Sequence, residues 1–224
     1  MRPSFQTEAP RLEGTTFHAF VAVIFFLSCF VAAAQTPRAL KGEPPVVSVN
    51  PRGLHTLELT AGQRDAVAKF QKVHPEMYLA DCGSLEYPDA LCIETYKEWL
   101  NTATFAKANV QYPFAVWGDF NHDGNLDLAV FFVSRKPAVT HKWGLGNGKF
   151  QYTYAYQWWL VVFHGTNNGT YSPVIASKDR WARGLDGVIF EPSRQRIEYW
   201  FKSAGGSVKW TGSSYLSMPM RSSH

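Results

Sequence analysis

Asp119, Asn121, Asp123, Asn125 and Asp127 stand at alternate positions of one short run, Asp119-Phe120-Asn121-His122-Asp123-Gly124-Asn125-Leu126-Asp127. A hard cation such as Ca²⁺ takes about six to eight oxygens in a flexible ring. Alternate positions of a tight loop point inward, so this D-x-N-x-D-G-x-x-D spacing offers side-chain oxygens from Asp119, Asn121 and Asp123. Asn125 can add its backbone carbonyl, and Asp127 can close the ring from the following strand. Gly124 lets the chain reverse where a Cβ would obstruct it. Three carboxylates leave about one negative charge once Ca²⁺ is held. The same residues have a second use, as an Asx-turn hairpin in which Asp119 and Asn121 bind backbone N–H groups and no ion. The loop is not an EF-hand, because Val130 stands where that motif needs a bidentate Glu and both flanks read as strands.

With its flanks the loop reads VWGDFNHDGNLDLAVFFV. It resembles the calcium loop of FG-GAP and VCBS repeats, the blade repeats of integrin-alpha-type β-propellers and of many secreted bacterial proteins. The resemblance covers about residues 114–133. It implies a Ca²⁺ cofactor held between two strands by Asp119, Asn121, Asp123 and Asp127, with the Asn125 carbonyl. No Phe-Gly…Gly-Ala-Pro element precedes the loop and no second copy follows it. A propeller needs several repeats of roughly 40–50 residues, so the resemblance implies a single VCBS-like β-rich domain and not a complete propeller.

Other chemistry is sparse. Cys82 and Cys92 close the short ring CGSLEYPDALC, which an oxidising compartment would pair as a disulfide. Two free thiols are the alternative, and a zinc site lacks further ligands nearby. There is no G-x-S-x-G, H-E-x-x-H or P-loop. Gly144 to Lys149 is glycine-rich, but Phe150 follows where a phosphate loop has Ser or Thr. His141 and His164 read as structural or surface residues. Phe150, Tyr152, Tyr154, Tyr156 and Trp158 fall at period two, on one face of a strand. Such a row is either the core face of a sheet or a platform on which sugar rings stack. Asn168-Gly169 reads as a hairpin turn, and with Thr170 it is formally a glycosylation sequon.

These residues must be positioned by elements. Thr60 with Gln63 makes a capping-box start, and Ala66, Val67, Phe70 and Val73 recur at helical spacing, so a helix is expected over residues 60–73. A second helix is expected from about Glu94 to Lys107, burying Tyr96, Trp99, Leu100 and Ala103. After Tyr112 the pattern turns to strands: Phe114–Trp117, Leu126–Val133, Phe150–Phe163, Tyr171–Ser177, Gly187–Phe190, Arg196–Lys202, Ser207–Trp210 and Tyr215–Met218. Lys136 to Lys149 reads as a loop. The expected fold class is α+β, an N-terminal helical segment followed by an antiparallel β-meander or sandwich.

The chain has 224 residues with 46% hydrophobic and 15% aromatic content, which excludes intrinsic disorder and allows a sizeable core. Phe17 to Ala34 carries no charge and ends on Ala32-Ala33-Ala34-Gln35, so residues 1–34 read as a secretory signal. An uncleaved anchor or a lipidated Cys29 are the other readings, and only these would bring a membrane. All three place the rest of the chain outside the cytoplasm, secreted or periplasmic. Residues 35–51 hold Pro37, Pro44, Pro45 and Pro51 and read as a linker, leaving residues 52–224 as one domain with N-terminal helices.

The net charge of +4 by itself argues for no particular partner, and no nucleic acid is expected, but the charge is unevenly spread. Residues 35–134 carry 8 basic and 12 acidic groups, whereas residues 135–224 carry 12 basic and 4 acidic. That half is either a solvated surface or a face for anionic polymers. The candidate ligand surface is Tyr152, Tyr154, Tyr156 and Trp158 with Arg196, Lys202 and Lys209. The functional expectation is an exported, non-enzymatic binding domain with one Ca²⁺ loop, recognising glycans or other anionic envelope polymers. A secreted polysaccharide or cell-wall hydrolase is the alternative, although paired acids are few in the C-terminal half.

Overall fold

The computed structural model describes residues 39–51, 53–82, 92, 112–182, 184–201 and 204–219. Residues 39–224 form one compact unit. The expected signal over residues 1–34 and the expected helix at Glu94–Lys107 lie outside the described residues.

The chain opens with a hairpin of β1 (Val46–Val49) and β2 (His55–Glu58), in register from Val46 opposite Glu58 to Val49 opposite His55. The expected linker is therefore corrected in part, since Pro44 and Pro45 precede a strand instead of an irregular tail. Helix α1 follows at Ala61–Val73. Its start is the capping box: Gln63 N donates to Thr60 Oγ1 at 3.4 Å and Thr60 N to Gln63 Oε1 at 2.9 Å. Ala66, Val67 and Phe70 are buried as the spacing predicts, but Val73 is 72% exposed, one turn beyond the apolar stripe.

Then come β3 (Met77–Leu79), β4 (Ala115–Gly118), β5 (Asp127–Ser134), β6 (Ala138–Gly146), β7 (Lys149–Gly165) and β8 (Tyr171–Ala182), which join in one six-stranded sheet. A four-stranded meander completes the molecule: β9 (Leu185–Glu191), β10 (Arg196–Phe201), β11 (Ala204–Trp210) and β12 (Tyr215–Pro219). Every strand pair in the three sheets is antiparallel.

The α+β expectation is overturned. The described chain is mostly strand, and no N-terminal helical segment precedes the sheets beyond α1, which is flanked by β2 and β3. Among the described residues, helical periodicity with a cap occurs only around residues 60–73. The β-branched run at Val46–Val49 finds a cross-strand partner instead.

β5 explains the layering. All eight of its residues are buried, because its two faces meet different partners. Phe132 meets Phe70 of α1 at 4.7 Å between ring centroids, while Phe131, one residue earlier, meets Tyr199 of β10 at 5.6 Å. Successive strand side chains point to opposite faces. The order is therefore helix, six-stranded sheet, four-stranded sheet.

β6 corrects another expectation, since Lys136–Lys149 is not a loop. Asn147 and Gly148 have φ of 51° and 72°, the left-handed pair that a tight two-residue hairpin demands, and β6 returns directly into β7.

Candidate functional site

The β4–β5 connection carries the acidic loop. Asp119 follows β4 at once, and the chain reverses through His122 at φ 64° and Gly124 at φ 83°. Asp119 accepts on both oxygens, from Asp123 N and Gly124 N, each at 3.0 Å. Asn121 Oδ1 accepts from Asp123 N at 3.1 Å, and its Nδ2 donates to Asp123 Oδ2 at 3.1 Å. Asp123 Oδ1 accepts from Asn125 N at 2.7 Å. Burial pushes the Asp123 carboxyl up, but hydrogen bonds from Asn125 and Asn121 and the charge of His164 together hold it below the usual carboxylate range. Asn125 is buried with its Oδ1 unpartnered. Residue 41 straps the turn: Lys41 N donates to Gly124 O at 3.0 Å, and Leu126 N donates to Lys41 O at 2.8 Å.

Asp127 belongs to a different place. It is fully buried, and its oxygens accept from Phe120 N and from Gly165 N at the end of β7, both at 2.9 Å. His164 Nδ1 lies 3.2 Å from Asp127 Oδ2, off the line of a hydrogen bond. On its other side, His164 Nε2 is 3.4 Å from the Tyr215 hydroxyl, and the two rings stack at 5.7 Å with 6° between planes. Trp210 packs on both rings, 4.8 Å from His164 and 5.0 Å from Tyr215.

An acid, a histidine and a hydroxyl in line suggest a nucleophile relay, but the electrostatics oppose it. Burial, and then the charge of Asp127, raise the Tyr215 phenol well above its usual value. A nucleophile needs the reverse, a phenol that surrenders its proton. The group is a half-buried polar clasp between the two large sheets. Sequence reasoning put His164 among structural residues and did not single out Tyr215 or Trp210. The three come from β7, β11 and β12, and no local spacing joins them.

The donor set divides when tested against Ca²⁺. Asp119, Asn121, Asp123 and Asn125 share one loop, and the orphaned Asn125 Oδ1 is the kind of buried oxygen a cation or a water would satisfy. Asp127 is set apart from these donors by its full burial, with its oxygens accepting from Phe120 N and Gly165 N. Among the described residues, no three or more His, Cys, Asp or Glu side chains converge as a metal cage.

The remaining candidates do not form one surface. Trp158 is buried, and its Nε1 donates to Ala182 O at 3.1 Å. Tyr156 is partly buried and packs against the core, whereas Tyr154 is exposed. The side chain of Tyr152 and the whole of Lys202 lie outside the described residues. Arg196 pairs with Glu198, and Lys209 is exposed on β11. Along β7 the described members of the row run from buried Trp158 through partly buried Tyr156 to exposed Tyr154. Cys82 and Cys92 are disulfide-bonded, with Cα atoms 5.7 Å apart.

No family model, curated protein or solved structure matches the chain.

Proposed function

We propose that the chain is an exported, non-enzymatic binding domain whose Asp119–Asp127 loop takes one Ca²⁺ and whose basic C-terminal half meets an anionic envelope polymer. Asp119, Asn121 and Asp123 would hold the ion with Asn125, through its carbonyl or its unpartnered Oδ1, and water would complete the shell. The ion would replace the strain of bringing two carboxylates together with charge-assisted coordination. The observation that carries this reading is Asn125, a buried amide oxygen without a partner in the loop that presents those donors. Asp127 anchors the loop from below.

A second reading has its own support. The N–H groups of Asp123, Gly124 and Asn125 are already taken by loop side chains, as in a metal-free Asx turn. Thermal unfolding of the full chain with Ca²⁺ and with chelator separates the two. At Ca²⁺ about 100-fold above Kd, ion binding adds about 2.7 kcal/mol, a rise in Tm of several degrees that Asp123→Ala abolishes. Equal melting temperatures and no calorimetric heat at millimolar Ca²⁺ would leave the Asx turn as the whole account.

A further inference from the structure

We propose that the β6–β7 ribbon is a membrane-contact element, seating at headgroup depth on an anionic bilayer. The inference deepens the anionic-envelope reading above and uses nothing from the calcium loop. The second half of β7 lies between β5 and β8, but among the described residues its first half, Lys149 to Ala155, is registered only with β6. This part projects as a two-stranded ribbon closed by the Asn147-Gly148 turn.

The ribbon exposes large apolar side chains: Val139 at 54%, Trp143 at 56% and Tyr154 at 47%. Val139 pairs with Tyr154 on one face, while Trp143 pairs with Gln151, whose parity puts it on the other. A platform for sugar rings needs aromatics on one face. An interfacial medium surrounds both, and Trp and Tyr favour the membrane–water boundary.

Charge selects the sign. No Asp or Glu occurs from Leu128 to Lys178, a stretch that holds Arg135, Lys136, Lys142, Lys149 and Lys178. Lys136, Lys142 and Lys149 are exposed on or beside the ribbon. Basic groups next to interfacial aromatics are drawn to anionic headgroups. Depth is limited by the backbone: a two-stranded ribbon has open edges, which hydrocarbon does not tolerate and hydrated headgroups do.

Peptide-resolved hydrogen exchange of the full chain on vesicles tests this, because it reads the ribbon separately from any binding by the apolar segment at residues 17–34. Vesicles containing phosphatidylglycerol should protect residues 138–155, and pure phosphatidylcholine vesicles should not. Lys142→Glu with Lys149→Glu should lower the anionic-lipid-dependent binding by about tenfold or more, and Trp143→Ser should lower it in moderate salt. Thermal unfolding of each variant shows that the fold persists, and Asp123→Ala should bind vesicles like the parent. Protection by heparin but not by vesicles would overturn the membrane assignment in favour of an anionic glycan. Protection on another surface would overturn it while leaving the binding-domain reading standing, and no protection by either anion would remove both.

Discussion

Asp127 is the fully buried carboxylate of the motif, and it takes Phe120 N and Gly165 N on its two oxygens. If it anchors the loop and does not hold the ion, its loss weakens the fold and spares the Ca²⁺ response. In Asp127→Asn one of those oxygens becomes an NH₂ group facing an N–H donor. Leaving a buried donor unsatisfied beside a lost charge-assisted bond costs about 2–4 kcal/mol. Urea unfolding without Ca²⁺ should show that loss, and the Ca²⁺-induced rise in Tm should survive in the variant. A stability change under about 0.5 kcal/mol, with the Ca²⁺ response gone, would return Asp127 to the ligand ring.

Between elements, the tightest joint in this region is where β7 ends against the exit of the acidic loop. A Cβ on Gly165 would stand 2.3 Å from the carbonyl oxygen of Leu126, and the two nearest atoms there are backbone. Gly165→Ala must therefore push β7 and the loop apart, at a cost of about 1–3 kcal/mol or more. It should also weaken the Gly165–Asp127 bond, so amide exchange at Gly165 and Phe120 should quicken together. Elements built from local signals were legible in the sequence: the capping box and apolar stripe of α1, and the turn that Asp119, Asn121 and Asp123 close with their side-chain oxygens. β6 was missed because three glycines suggested a loop, although Asn147-Gly148 was the hairpin signal. Periodicity placed the aromatic row on one face of β7, but it does not say where along a 17-residue strand the covering layer stops. The partner of Asp127 in β7 was illegible for the same reason, lying 38 residues away with no shared pattern.

Across the whole molecule, the four-stranded sheet meets the six-stranded sheet through both apolar and polar contacts. In the interior, Phe131 and Trp158 meet Phe201 at 6.1 and 5.8 Å, an apolar contact indifferent to pH. One polar joint is the clasp of His164, Trp210 and Tyr215, and it has a pH limit. Burial and the nearby Asp127 charge raise the Tyr215 phenol above its ordinary 10.0, so the folded state keeps a proton that the unfolded chain releases. The unfolded state then binds fewer protons, and stability falls as pH rises through and beyond about 10. The contribution is fully present below that point. Urea unfolding between pH 8 and 11 should show the parent losing stability more steeply than Tyr215→Phe, by up to about 1.4 kcal/mol per pH unit above 10. Near neutrality the variant should differ by only about 0.5–1.5 kcal/mol, the worth of one hydrogen bond. Parallel curves for the two proteins would mean that the phenol ionises in the folded state, and that the clasp does not hold the sheets together through a protonated Tyr215.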